Sequence, residues 1–534
     1  MKIVGDNVRR AKNFINRIVC KKSNSDDVIN VNRSAALVSI LTIFCRFLGF
    51  ARDTVIAKYL GAGDLSDSFF ASFKLSNFFR KIFGEGAFFS GFVPIFTKIN
   101  KEDKGRAIVF SSNIFTIITI TLLVVVGLSE FFMDKIILLI SPGFTGAKLE
   151  HAIKISKITF PYFYFITSCS VLWGVLNSVG VFFYYGFVPA ILSIVMIFFG
   201  LVFKNNFTDI TVCFAYSIVC GGIFQLLISY IGCYVNGFRL KIIKPFFDLN
   251  TKQVFKKMFN TTISTSLTQI NTIIDGVLAS FITSAVSYLY YADRIFYFPF
   301  SIVGVTLGIV SLPALSKAVS ENNFDRTKSL QNLAIKLVLL YGIPASIGML
   351  VMSQSLTFTI FQYGDFKSSD TRSVAIITSI FACGLFFSLI SRVFSVIFFA
   401  NQNTKTPMKI TIFGVFVNVV FSMILVKFLG VYGIAIGTCI SYFLTSILLL
   451  KILQKKSLIF FEDNIKKFTL SVLFASIVVG LVCYIFNGFF VGLSVGLALR
   501  IIILSIFGLF CAIMYIVLLL FLKINILKIT FAKH

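Results

Sequence analysis

About fourteen long apolar stretches divide residues 34–522, and that partition constrains the fold more than any other feature. A helix needs about 20 apolar residues to cross the hydrocarbon core. Inside that core every backbone N–H and C=O must be bonded within the protein, so stretches of this length are helices and not isolated strands. The first six are expected near 34–60, 66–97, 106–129, 155–180, 183–204 and 209–236. Six more are expected near 253–282, 288–316, 329–354, 373–400, 407–428 and 431–452, and a last pair near 468–487 and 499–522. The fold class is an all-α polytopic membrane protein. Composition agrees, since only 13% of the 534 residues are charged, where soluble domains hold about 25%.

The charge balance sets the orientation. Of the 49 Lys and Arg, about 31 fall in segments that are cytosolic if the N-terminus is inside, and about 10 on the opposite side. Such an asymmetry places both termini in the cytosol. The net charge of +27 is then a topology signal that also meets anionic membrane lipids, and no nucleic-acid partner is implied. Residues 1–33 form a basic cytosolic extension with no apolar core of a signal peptide. The ten cysteines include no CxxC pair and mostly lie in apolar helices, where free buried thiols are expected. Two histidines leave little material for histidine chemistry. Trp173 and the many Tyr and Phe are expected to be lipid-facing or interfacial.

The chain also repeats itself. "FVPIFTK" at 92–98 answers "SLPALSK" at 311–317, and Gly143 and Pro189 find counterparts in Gly364 and Pro407 at nearly the same offset. An even number of spans per half gives parallel repeats about an axis along the membrane normal. The expected organisation is an N-terminal half at 34–237, a cytosolic linker at 238–252 and a C-terminal half at 253–456. Residues 457–534 add two further helices and a short cytosolic tail.

Against this apolar background a few charges stand out. Arg46, Arg52 and Asp53 lie inside the first span, and Lys74, Arg80 and Glu85 inside the second. Arg294 follows "SYLYYAD" in the eighth. A charge at a helix centre costs roughly 2.5–3.5 kcal/mol on insertion scales, so these side chains face water or one another. Arg46 and Asp53 are seven residues apart on one face, while Arg52 points elsewhere on an ideal helix. An Arg–Asp pair that only fixes packing is one reading. Because bases outnumber acids, the other is a cavity for a large anion, and arginine's planar fork suits phosphate.

"CRFLGFARDTVIAKYLGAGDLSDSFFASFKLSNFFRKIFGEGAFFSGFVPIF" resembles the opening of the MurJ (MviN) family of bacterial lipid II flippases, in the MOP transporter superfamily. "YYADRIFYFPFSIVGVTLGIVSLPALSK" and "FFANQNTKTPMKI" resemble the family's helix 8 and its helix 10–11 junction. The resemblance runs from about residue 34 to the end. It implies a flippase that moves undecaprenyl-pyrophosphate-linked peptidoglycan precursor (lipid II) from the cytosolic to the outer leaflet of the bacterial cytoplasmic membrane by alternating access. It implies substrate-binding roles for Arg46, Arg52, Asp53, Asp67, Arg80, Glu85, Ser287 and Arg294, in a cavity between the halves. It also implies a groove for the polyprenyl tail on the last two helices. Ser76 stands where the family has proline, which implies a milder bend in helix 2.

A second polar cluster is expected around Asp275, the one charge of helix 7, with Asn271 a turn earlier, Asn418 and Ser422 in helix 11 and Thr438 in helix 12. These positions resemble a sodium site of some family members, although Ser422 stands where those members can carry aspartate. One carboxylate with amide, hydroxyl and backbone oxygens suits a monovalent cation. A hydrogen-bonded packing cluster is the alternative. No other cofactor is expected. Gly433 and Gly437 read as close helix packing.

Three competing classes have distinct signatures. The nearest alternative is another MOP exporter, for lipid-linked oligosaccharide or drugs, of which an exporter of cationic drugs would want carboxylates in the first half. A membrane enzyme would want a sizeable loop with an acidic or histidine site. A scaffold would tolerate loss of every buried charge.

Overall fold

The computed structural model describes residues 27–81, 88–491 and 496–524. Most of the basic head, Glu85 and the end of the tail lie outside them. Seventeen α-helices occupy the described residues. They begin with α1 (Asp27–Leu60), α2 (Asp64–Phe79), α3 (Phe88–Glu102), α4 (Lys104–Phe131), α5 (Met133–Ile140) and α6 (Gly146–Thr159). Next come α7 (Tyr162–Ser178), α8 (Phe183–Val202), α9 (Ile210–Val235), α10 (Leu249–Ser280), α11 (Ala285–Ser320) and α12 (Phe324–Phe361). The last five are α13 (Ser368–Ala400), α14 (Lys405–Leu429), α15 (Val431–Lys455), α16 (Ile465–Phe490) and α17 (Leu497–Phe521). Among the described residues ten segments are long and apolar enough to cross a membrane: α4, α6 with α7, α8, α9 and α12 to α17. The remaining expected spans fall on α1, on α2 with α3, on α10 and on α11.

The fourth span differs from expectation. It starts at Gly146, turns at Phe160–Pro161 and continues as α7, because proline has no N–H to extend the ladder of α6. The eight-residue α5 precedes it, too short to register as a span.

The chain forms two units. The first takes residues up to Val55, Ser68–Leu139 and Thr145–Gln269. A line of serines joins α2 to α6 within it. Ser68, Ser72 and Ser76 recur every four residues, so they share one helical face, and all three are fully buried. Ser68 Oγ lies 3.1 Å from Lys148 O and Ser72 Oγ 3.2 Å from Ala152 O. Ser156 Oγ donates to Ser72 Oγ at 2.7 Å, and Ser76 Oγ to Thr159 O at 3.4 Å. Hydroxyls this small let two backbones approach while bonding their carbonyls. α2 runs unbroken through Ser76. Trp173 corrects the expectation of a lipid-facing ring: it is 2% exposed, and its indole N–H donates to Ser229 Oγ on α9 at 3.0 Å. Buried indoles take such a partner because an orphaned N–H is costly.

The second unit takes Ile56–Asp67, Ile140–Phe144 and the chain from Ile270 onward. The segment 56–67 is seated by backbone contacts. Asp365 N–H donates to Lys58 O at 3.0 Å, and Tyr291 O–H to Gly61 O at 2.9 Å. Gly61 and Gly364 hold φ of +55° and +59° at this meeting point. α14 and α15 pack backbone to backbone at the GxxxG spacing. A Cβ on Gly433 would lie 2.4 Å from the carbonyl carbon of Leu425, and one on Gly437 2.8 Å from Ser422 N. The nine described cysteines are free. Cys383 is exposed, against the expectation for an apolar helix.

Each unit clamps an extended segment in the same way. In the first, Asn113 of α4 accepts from Phe246 N at 2.9 Å and donates to Phe246 O at 2.8 Å, while Ser112 and Thr116 accept from Lys241 N and Ile243 N. In the second, Asn332 of α12 donates to Phe460 O at 2.7 Å and accepts from Glu462 N at 3.0 Å, and Gln331 bonds Leu458 O and Phe460 N. Asparagine presents one donor and one acceptor side by side, so it can stand in for a paired strand. Losing both bonds at Asn113 exposes about 1–3 kcal/mol of unmet backbone hydrogen bonding. Asn113→Ala is expected to raise the rate of trypsin cleavage between Arg239 and Lys244 by about 5- to 150-fold in purified protein. An unchanged rate would show that the clamp does not hold the segment.

Candidate functional site

The charges of α1 are accommodated by pairing. Arg52 is 7% exposed and Asp53 1%, and both Arg52 Nε and Nη2 reach Asp53 Oδ1, at 2.9 and 2.8 Å. Neighbours on a helix point about 100° apart, so the long guanidinium curls back to meet the carboxylate. Its Cζ also lies 5.5 Å from the Phe73 ring centroid, a cation–π contact. Asp53 is thus bonded to Arg52 next to it, which is the Arg–Asp pair that the sequence offered as one reading. Arg46 is half-buried on the same helix. Arg80, half-buried at the end of α2, donates through Nε to Asn77 Oδ1 at 3.1 Å. All of these belong to the first unit. Glu85 lies outside the described residues.

Asp67, Ser287 and Arg294 belong to the second unit. Asp67 Oδ1 accepts from both Ser287 N and Ser287 Oγ at 2.8 Å, with both residues fully buried. Ser287 is the third residue of α11, and its N–H is one of the four a helix leaves unbonded at its start. The side chain of Ser284, at the cap position, makes no cap bond, so the Asp67 carboxylate supplies that acceptor from elsewhere in the chain. Arg294 lies two turns further along α11, its Cζ 4.3 Å above the Tyr290 ring. The structure therefore joins Arg52 with Asp53 and Asp67 with Ser287, and it places Arg46 and Arg52 in one unit and Arg294 in the other.

The residues of the Asp275 cluster come together as the family resemblance implied. Asn418 Nδ2 donates to Asp275 Oδ1 at 2.9 Å. Ser422 Oγ and Thr438 Oγ1 donate to Asn418 Oδ1 at 3.1 and 3.3 Å, and both hydroxyls also approach Ile434 O. Asn271 Oδ1, one turn before Asp275, is buried and accepts no hydrogen bond. The residues fit a hard monovalent cation. They offer one carboxylate, two amide oxygens, two hydroxyls and a carbonyl, and one of those oxygens is unused. The amide orientation of Asn418 follows from this network, and turning it over would present Oδ1 beside the carboxylate.

The sequence reading missed Arg392 in α13, whose Cζ lies 5.8 Å from the Phe300 ring. A lone arginine in "SLISRVFSVIFFA" is the same signal that exposed Arg46, and the same cost argument finds it. It also missed the setting of Arg500, stacked 3.9 Å over Phe358 and 5.3 Å over Tyr363. Burial pushes the Tyr363 phenol, in the turn after α12, above its ordinary range, and Arg500 beside it pulls it back in part.

Comparison with known proteins gives a consistent set of likenesses. The family profile described as lipid II flippase MurJ matches residues 56–504. A probable lipid II flippase MurJ of Rickettsia prowazekii is 36% identical over 443 residues, covering 83% of this chain and 87% of that protein. One from Rhizobium tropici is 31% identical, with 82% and 84% covered. A solved structure of lipid II flippase MurJ in an inward closed conformation superposes with a TM-score of 0.76 at 27% identity, covering 91% of this chain and 99% of that one. An inward-facing MATE transporter of the MOP superfamily shares the fold, with a TM-score of 0.65 at 15% identity over 79% of this chain.

Proposed function

Because the chain belongs to the lipid II flippase MurJ family, we propose that its buried arginines take the pyrophosphate of lipid II and release it by exchange with carboxylates of the protein. The Arg52–Asp53 pair carries this reading. A guanidinium held by a single carboxylate oxygen keeps N–H donors for a second anion, and a pyrophosphate brings more charge than one carboxylate. Arg46, Lys74 and Arg80 add cations to the same unit, and Arg294 supplies one in the other. Transport is by alternating access, so the headgroup meets these groups from one leaflet at a time and no covalent bond to it is made or broken. The excess of basic residues on one side supports a bacterial cytoplasmic membrane protein with both termini in the cytosol.

A flipping assay with labelled lipid II in cells depleted of their own flippase tests this directly. The chain is expected to restore exposure of the headgroup at the outer leaflet. Normal insertion without any exposure would overturn the reading.

Asp275 with Asn271, Asn418 and Thr438 supports a bound sodium ion in the same protein. A ligand that binds only the folded state at 100 times its Kd stabilises it by about 2.7 kcal/mol. Sodium is expected to raise the melting temperature over choline at equal ionic strength, and Asp275→Asn to remove the difference. Equal melting in sodium, potassium and choline would identify the cluster as packing.

A further inference from the structure

Two cysteines and a methionine that none of the arguments above uses pack in one cluster. Cys483 of α16 and Cys511 of α17 approach to an Sγ–Sγ distance of 3.7 Å. Met352 of α12 completes the same buried cluster, and the three residues are 5, 9 and 7% exposed. The hydrophobic side chains packed against them are Val351, Leu356, Val479, Phe486, Leu504 and Phe507. The Phe486 and Phe507 rings stack beside the pair at a centroid distance of 3.6 Å.

We propose that Cys483, Cys511 and Met352 form a binding site for a soft monovalent cation, Cu(I) or Ag(I). Three arguments converge on that chemistry. The first is ligand type: thiolate and thioether sulfur select soft cations over hard ones. The second is spacing. Metal–sulfur bonds of about 2.3 Å at trigonal or tetrahedral angles put two sulfurs about 3.8–4.0 Å apart, close to their present separation. A disulfide would need them to close to about 2.05 Å, and it would leave Met352 without a role. The third is charge. One thiolate, one thiol and one thioether around a monovalent cation make a neutral complex, which a low-dielectric interior accepts. Binding Cu(I) to the two thiols forms one Cu–thiolate bond, leaves the second thiol and the thioether as neutral donors, and releases one proton to water. Neither metal nor sulfur changes oxidation state.

The site would pin α17. Cys511 and Leu519 are that helix's buried residues, so a metal bridge to α16 would fix an element that otherwise faces lipid along most of its length.

The test uses the full chain in detergent with Cu(I) set by a competing chelator. A variant in which the other eight cysteines are alanine is expected to bind one Cu(I) per chain and to release one proton per metal. Its X-ray absorption should show sulfur neighbours alone. Met352→Leu in that background should weaken binding by more than the roughly tenfold that loss of an outer-shell partner costs. As a second measurement, the Cys483→Ala/Cys511→Ala chain, with its other cysteines intact, should bind one Cu(I) fewer than the unsubstituted chain. No binding by the first variant, or equal stoichiometry in the second comparison, overturns the proposal.

Discussion

Arg52→Ala is expected to abolish growth support in a flippase-depleted bacterium, while membrane-inserted protein remains detectable. Two effects of different origin are combined in that loss. The substitution removes a guanidinium that the proposed mechanism needs, and it breaks a buried ion pair, which costs about 3–5 kcal/mol of stability. The Arg52→Ala/Asp53→Ala double variant separates them, because removing both partners relieves the desolvated carboxylate. The double variant should regain most of the melting temperature and none of the growth. Arg52→Lys keeps a point charge but reaches Asp53 with one contact where the guanidinium makes two, so partial growth is expected. Arg46→Ala and Arg294→Ala should fail likewise. Growth of the double variant would mean that the pair only holds α1 in place.

Gly364→Ala should have the largest effect of any single methyl group added to this protein. Two costs add at that position. A φ of +59° disfavours any residue with a Cβ by about 1–2 kcal/mol. The new carbon would also lie 2.1 Å from Lys58 O, the acceptor of the Asp365 N–H bond. Backbone cannot yield as a flexible side chain does, and overpacking of this kind adds about 1–3 kcal/mol. The expected result is a loss of about 2–5 kcal/mol, read as a fall in melting temperature. Gly348→Ala is the control, since nothing lies within 4 Å of a Cβ there and the helix accepts alanine readily. Equal melting of the two variants would refute the seating of residues 56–67 as described.

The spans were legible because the bilayer sets their length. α8 ends within two residues of its expected limits on the apolar count, as do α14 and α17. The count failed where polarity interrupts it. α6 begins nine residues earlier than expected because "GAKLEHAIK" is a helix with lysines, which hydropathy alone cannot extend into. Buried charges were legible by their cost, and their partners only where they are neighbours in the chain. An Arg52–Asp53 pair was one of the two readings of these charges, and the structure forms it, since a long side chain is not confined to the direction of its Cβ. Asp67 and Ser287 are 220 residues apart, and no local pattern in a single sequence links them. Trp173 was misread for the same reason: its partner Ser229 lies on another helix.

The seating of residues 56–67 has a consequence for biogenesis. Asp67 meets Ser287 across 220 residues of chain, and Gly61 meets Tyr291 across 230. At about 5–20 residues per second, a ribosome needs about 10–45 s to make that intervening length. For that interval the end of α1 is in the membrane before the residues that receive it exist, and Asp67 has no helix start to cap. The protein therefore cannot fold strictly in the order of its synthesis. Residues 56–67 reach these contacts only after α11 has been made, and until then the insertion machinery or a chaperone must tolerate Asp67 without its bonds to Ser287.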